Sequence, residues 1–235
     1  MEREKYVVIM AAGSGSRMGA QMPKQFLEIG GKAILQKTIE VFLEAVPGVK
    51  IITVLPKEFM GFWKDYCLNN TFICPQVLVA GGITRFHSVK NALSKVPEGT
   101  LVAIHDGVRP LVTPDFLSSL FTQAEGVDGL IPVLPCIDTI KVLQKDGDAL
   151  RSVAGEAADR SRLFGAQTPQ IFRSELLKEA YNQAFDEKFT DDASVMEKYG
   201  KSLSYVIGER LNIKITTQED LLLAKAIFSL REDRS

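Results

Sequence analysis

The spacing of apolar residues changes period along this chain, and each change marks an expected element. Residues 6–12, YVVIMAA, form a continuous apolar run ending at a glycine, as in a strand buried on both faces. In ILQKTIEVFLEA (34–45), Ile34, Leu35, Thr38, Ile39, Phe42 and Leu43 recur at helical spacing, and Pro47-Gly48 ends the helix. VKIITVL (49–55) reads as a second strand. KEFMGFWKDYC follows as a helix with Phe59, Phe62, Trp63 and Tyr66 on one face, a stripe better explained by core packing than by a cofactor. QVLVAGG (76–82) and LVAIHDG (101–107) read as strands ending in glycine. Between them a helix over 85–96 presents Val89, Ala92, Leu93 and Val96, and the strand LIPVLP (130–135) closes this half. Such alternation implies right-handed βαβ crossovers and an α/β, Rossmann-like, mostly parallel sheet flanked by helices.

The period then drops to two. DTIKVLQKDGDALRSVAG (138–155) alternates like a strand and contains Asp146-Gly147, a hairpin signal. A two-stranded ribbon is marginal alone in water, so residues 138–165 are expected to form a protruding arm at a homodimer interface. Further on, the sequence predicts a helix at 174–185, a loop TDDAS (190–194), a strand near LSYVIG and a short strand NIKI (212–215). Thr217-Gln-Glu-Asp220 forms a capping box opening the last helix. Without repeats or a linker, residues 1–235 read as a single domain with that arm.

Charge narrows the partners. With 28 basic and 29 acidic residues the net charge is −1, which argues against nucleic acid and anionic membranes. An anionic ligand must therefore be held by a local cluster of cations. Cys67, Cys74 and Cys136 show no C-x-x-C spacing and there are only 2 histidines, so a zinc site is not expected and a reducing compartment is. The N-terminal apolar run is too short for a signal peptide, and no stretch is long enough to span a bilayer. A cytoplasmic protein is the expectation.

Ligands of open parallel sheets bind at the carboxyl ends of the strands. Here AAGSGSRMG (11–19) satisfies neither G-x-G-x-x-G, because Met18 takes the third slot, nor the Walker A pattern. Its glycines can turn backbone N–H groups toward phosphate oxygens, although a ligand-free tight turn would look the same. Arg17 and Lys24, the latter stiffened by Pro23, suit a triphosphate and the charge that develops as it is attacked. In AGGITRFHSV (80–89), Gly81 and Gly82 allow close approach to a flat base, and Ser88 is either a ligand hydroxyl or a helix-end polar residue. Asp106 follows an apolar strand and is placed to hold Mg²⁺ against phosphate oxygens. Arg109, set by Pro110, pairs either with Asp106 or with a substrate anion, and His105 reads as a packed strand residue. Thr168, Thr190, Arg160 and Lys214 are polar groups outside the core pattern; the last two matter only if the fold brings them beside Asp106.

Taken in order, AAGSGSRM with PKQ, GGITRFHSV, HDGVRP, DTIK, DRSRL, QTPQ, TDDAS and NIKIT resemble the 2-C-methyl-D-erythritol 4-phosphate cytidylyltransferase family over about residues 6 to 228. The resemblance implies that CTP and a sugar-alcohol phosphate, methylerythritol 4-phosphate, react with Mg²⁺ to give the cytidyl diphosphate product and pyrophosphate. It implies that Arg17 and Lys24 stabilise the pentavalent α-phosphorus, and that Arg160 and Lys214 position the sugar phosphate. Ala11, Ala12, Gly13, Gly15, Gly81, Gly82, Arg85 and Ser88 would hold CTP; Asp106, the metal ligand, would line the sugar-phosphate pocket with Arg109, Thr139, Thr168 and Thr190. In this family the arm crosses to the partner subunit, so Thr139 and Arg160 would act in trans. One departure stands out: the family commonly has two alanines where this chain has Gly107 and Val108. The x-V-R-P version resembles ribitol-5-phosphate cytidylyltransferases, whereas Asp159 before Arg160 points back to methylerythritol phosphate. A non-catalytic nucleotide-binding domain is a further alternative, disfavoured because all five charged residues Arg17, Lys24, Asp106, Arg160 and Lys214 are present.

Overall fold

In a computed structural model the described residues are 2–13, 22–153 and 158–232. The chain runs β1 (Lys5–Met10), β2 (Glu28–Ile29), β3 (Lys32–Ala33), α1 (Ile34–Ala45), β4 (Lys50–Leu55), α2 (Met60–Asn69), β5 (Gln76–Ala80), α3 (Arg85–Leu93), β6 (Leu101–Asp106), α4 (Pro114–Ala124) and β7 (Gly129–Pro135). Then come β8 (Leu143–Asp146), β9 (Ala149–Ser152), β10 (Phe164–Ala166), β11 (Gln170–Arg173), α5 (Ser174–Ala180), α6 (Asp192–Lys198), β12 (Ser204–Ile207) and α7 (Gln218–Glu232).

β5, β4, β1 and β6 pair in parallel, as the apolar runs require. β11 lies antiparallel between β6 and β7, and β10 continues antiparallel along the same edge of β7. β12 pairs in parallel with the opposite edge of β7. The sheet is thus parallel except for the broken strand β10–β11. Alternate residues feed two cores. Val7, Ile9, Leu101 and Ala103 face a cluster with Phe42, Trp63 and Phe121. Val8, Ile52, Val102 and Ile104 face one with Val89, Phe172 and Tyr181. Each Val, Leu, Ile or Phe among these that is fully removed from water contributes about 1.5–3 kcal/mol before entropy. The aromatic stripe of α2 is core packing as expected: Trp63 is fully buried and its Nε1 donates to Gln76 Oε1 at 3.0 Å, although Phe62 is half-exposed.

Several expectations need correction. The helix expected over 174–185 stops at Ala180. TDDAS is not a loop: Asp191 caps α6 through a capping box with Ser194. NIKI forms no strand, because its polar groups bond elsewhere; Ile215 N–H donates to Val108 O at 3.0 Å. β2–β3, β10 and β11 arise without having been expected. The first closes on Gly30 and Gly31, whose φ values of 55° and 72° fit a two-residue type I′ loop. A Cβ at Gly30 would stand 2.5 Å from the Phe228 ring, so α7 packs directly on that loop. The capping box before α7 is present: Asp220 N–H donates to Thr217 Oγ1 and Thr217 N–H to Asp220 Oδ2.

β8 and β9 pair only with each other, and every residue in them is exposed. The loop is Gly147-Asp148, one position later than Asp146-Gly147, since Asp146 pairs with Ala149. A positive φ of 62° at Gly147, the first loop position, is what a type II′ turn needs.

Candidate active site

Asp106 is the last residue of β6 and lies beside Met10, the last of β1, so residues 11–13, which open the glycine-rich stretch, start next to this carboxylate. The break between β10 and β11 presents Thr168, whose Oγ1 accepts the Asp106 N–H at 3.1 Å. Asp106 Oδ2 pairs with Arg109 Nε at 3.0 Å and with Lys214 Nζ at 3.1 Å. Burial alone would raise the carboxyl pKa, but Lys214, Arg109 and Arg85 together outweigh it and hold the group ionised, well below the usual carboxylate range. Arg109 Nη1 also donates to Asn212 O at 2.8 Å, which fixes the segment carrying Lys214. The neighbouring His105 is fully buried, lies edge-on to Phe42 at 4.9 Å and meets the Arg109 carbonyl through Nε2 at 3.2 Å. Burial pushes its pKa down to about 4, against the opposing pull of Asp106, so the ring is neutral at pH 7. It is a packed strand residue, as expected.

The opposite wall is built by the turn between β5 and α3. Thr84 caps α3, and Ser88 Oγ donates to Thr84 O while accepting the Gly82 N–H, both at 2.9 Å. A Cβ at Gly81 would lie 2.6 Å from Ala12 Cβ, and one at Gly82 would lie 2.5 Å from His87 Cβ. The two glycines are therefore required by the close approach of this turn to residues 11–13 and to α3. Arg85 opens α3 and pairs through Nη2 with Asp192 Oδ2 at 2.5 Å; Asp192 is fully buried and also accepts the Tyr181 hydroxyl at 2.6 Å. Lys24, in a short 3₁₀ turn after Pro23, donates from Nζ to Ile215 O at 3.0 Å. Gln25 Nε2 donates to Ala11 O at 2.7 Å and so steadies the chain where it leaves β1.

These walls enclose a cleft of about 520 Å³. Of the sequence-predicted residues it brings together Ala11, Ala12, Gly13, Lys24, Gly82, Arg85, Ser88, Asp106 and Lys214. Gly81 packs behind the turn; Arg109 and Thr168 stand behind Asp106 as its partners. Thr139, Arg160 and Thr190 are exposed and do not line the cleft, and Arg160 Nη1 donates at 2.9 Å to the carbonyl of Ile137, the residue just before the arm. Gly15 and Arg17 lie outside the described residues. Sequence reasoning missed Gln25 and Thr216, which line the cleft, and Asp192 and Asn212, which act from behind it.

Comparison with known proteins decides the family. The IspD family model, 2-C-methyl-D-erythritol 4-phosphate cytidylyltransferase, matches residues 6–230. The chain belongs to the IspD family. Enzymes of that name from Porphyromonas gingivalis and Phocaeicola vulgatus are similar to it. The first is 43% identical over 97% of this chain and 100% of its own, the second 42% identical over 95% and 99%. The crystal structure of the Francisella tularensis IspD superposes with a TM-score of 0.77 at 30% identity, covering 95% of this chain and 99% of that one. An IspD chain is an enzyme of the nucleotidyltransferase class.

Within the IspD frame, the departure at Gly107 and Val108 has a packing cause. A Cβ at Gly107 would lie 3.1 Å from Ala11 Cβ, Ile9 Cγ2 and Met10 O, tighter than the strand ends readily allow. Val108 is buried with Ile29, Ile34 and Ile215. The pair answers to its neighbours, and the relatives named above carry the methylerythritol phosphate name rather than a ribitol one.

Proposed function

We propose that the cleft transfers the cytidylyl group of CTP to 2-C-methyl-D-erythritol 4-phosphate, releasing pyrophosphate. The observation that carries the reading is the convergence of Lys24, Arg85, Lys214 and an ionised Asp106 on one cleft that Gly13 and Gly82 also line, in an IspD chain. Two anionic substrates repel, and fixed cations around the meeting point offset that repulsion before bond formation. An oxygen of the sugar phosphate forms the new bond to the α-phosphorus as the bond to pyrophosphate breaks on the opposite side. The attacking oxygen is already ionised, so no base is needed, in keeping with the neutral, buried His105. Lys24, with Arg17, would stabilise the pentavalent phosphorus. Lys214 would orient the sugar phosphate. The turns at 11–13 and 81–88 would hold the nucleotide.

The donor set suits a hard divalent cation such as Mg²⁺, which is commonly held by one carboxylate plus substrate phosphates. Asp106, kept ionised beside Arg109 and Lys214, is the residue that would hold such an ion. When bound, the ion would spread the charge of the triphosphate.

Residues 138–165 would form a dimerisation arm on a single domain of residues 1–235. Their exposed Ile140, Leu143, Leu150 and Phe164, next to exposed Ile137, are apolar surface that a second copy would cover. Arg160 and Thr139 would then complete the partner's cleft. Free Cys67, Cys74 and Cys136 agree with a reducing cytoplasm, and no helix among the described residues is long and apolar enough to cross a membrane.

The test supplies CTP, Mg²⁺ and either methylerythritol 4-phosphate or ribitol 5-phosphate while pyrophosphate release is followed. Turnover with the first is expected; a strong preference for ribitol 5-phosphate would overturn the substrate choice. Sedimentation showing only monomer at micromolar protein would remove the arm from the site.

A further inference from the structure

Behind the cleft a buried carboxylate joins one wall to the segment that carries Thr190. Asp192 is the first residue of α6, two positions after Thr190, and its side chain has no exposure to water. One oxygen takes the Arg85 guanidinium at 2.5 Å and the other takes the Tyr181 hydroxyl at 2.6 Å. Arg85 is the first residue of α3, directly after the turn that carries Gly82, and about a third of its side chain is exposed along the cleft. On the other side, the start of α6 is clamped to the sheet by Gln170, whose Nε2 donates to Asp191 Oδ2 at 2.8 Å and whose Oε1 accepts the Ala193 N–H at 2.9 Å. Thr190 N–H donates to Ser194 Oγ within the same cap. The segment leading to Thr190 also leans on α3 through rings: Phe86 stacks on Tyr181 at 4.7 Å and on Phe189 at 5.5 Å.

We infer that Asp192 is a positioning residue that ties the Arg85 guanidinium on the nucleotide wall to the Thr190 segment on the sugar-phosphate side, so that the two substrates bind cooperatively. The inference rests on the proposed role of Arg85 and on the sugar-phosphate role that the family resemblance implies for Thr190, which does not itself line the cleft. An unpaired Arg85 has several rotamers open to it, whereas one anchored by a buried, doubly bonded carboxylate presents its remaining N–H groups in one direction. Whatever orders Arg85 also orders α6 through the same side chain, and linkage then makes each substrate improve the site for the other.

Steady-state kinetics in both substrates test this. Couplings of this kind are worth roughly five- to 150-fold, and Asp192→Asn is expected to raise KM for CTP and for methylerythritol phosphate by about tenfold each, with kcat changed much less. In an Arg85→Met background, Asp192→Asn should add nothing further to KM for CTP, because its effect on the nucleotide runs through Arg85. Effects that multiply in the double variant would overturn the inference, as would unchanged KM values in a variant that merely melts earlier. Should Asp192→Asn fail to fold, Tyr181→Phe removes one hydrogen bond and keeps the ion pair; it should raise both KM values by about twofold or more, and no change in either overturns the inference. Failure of the functional reading itself would look different, since the unaltered protein would then release no pyrophosphate from these substrates.

Discussion

Removing the Lys214 side chain separates chemistry from stability, because its surroundings make opposite demands on the two. Lys214 Nζ lies 3.1 Å from Asp106 Oδ2, but its side chain is 42% exposed, so water already screens the pair. Such a pair contributes about 1 kcal/mol or less. Asp106 keeps its better-buried partner Arg109, at 3.0 Å and 11% exposed. For a chain of this size 1 kcal/mol moves Tm by about 2–4 °C, which bounds the thermal effect of Lys214→Ala. The effect on turnover has no such bound. A fixed cation facing charge that develops at the transition state contributes about a hundredfold or more, equivalent to about 2.7 kcal/mol. Calorimetry and pyrophosphate release on the same preparation measure both quantities. Turnover within about threefold of the unaltered protein would refute the placement of Lys214 at the reacting phosphate. A fall in Tm beyond about 8 °C would show that its role is structural.

His105 gives a pH prediction. Its pKa is lowered by burial to about 4, so the unfolded chain takes up the proton near pH 6.5 and the folded one only near pH 4. Stability is therefore intact above about pH 6.5 and falls by about 3 kcal/mol toward pH 4; melting curves across that range should show it, and His105→Gln should flatten it. Gly82→Ala would drive a Cβ to 2.5 Å from His87 Cβ and 2.9 Å from the His87 carbonyl carbon. The turn must shift at a cost of about 1–3 kcal/mol, and KM for CTP should rise; an unchanged KM would detach this turn from the nucleotide. If Arg160 acts in the partner's cleft, mixing inactive Arg160→Ala and Lys214→Ala subunits should restore about a quarter of full activity, because half the dimers then hold one intact site. No recovery after subunit exchange would place Arg160 in its own cleft.

Elements with a one-sided or fully apolar pattern were legible. Helix α1 is bounded as the spacing of Ile34, Leu35, Ile39 and Phe42 implied, because a single buried face dictates it. β10 and β11 were not, since three- and four-residue strands carry too few positions for a period and owe their place to the edge of β7. α6 hid behind the polar run of its own cap. In the site, most residues that meet the cleft directly, Gln25 and Thr216 excepted, announced themselves as glycine-rich stretches and isolated charges at strand ends. Asp192 and Asn212 did not, for they act on Arg85 and Arg109 from over a hundred residues away in sequence. Only folding brings such partners together.

Phe228 occupies the space that a side chain at position 30 would need, and it also carries Lys37 Nζ over its ring at 3.7 Å. The hairpin it clamps follows directly on the turn that holds Lys24. Helix α7 is thus a wedge under the turn that carries Lys24. Shortening the last helix before Phe228, or bulking up position 30, would loosen a lysine that neither change touches.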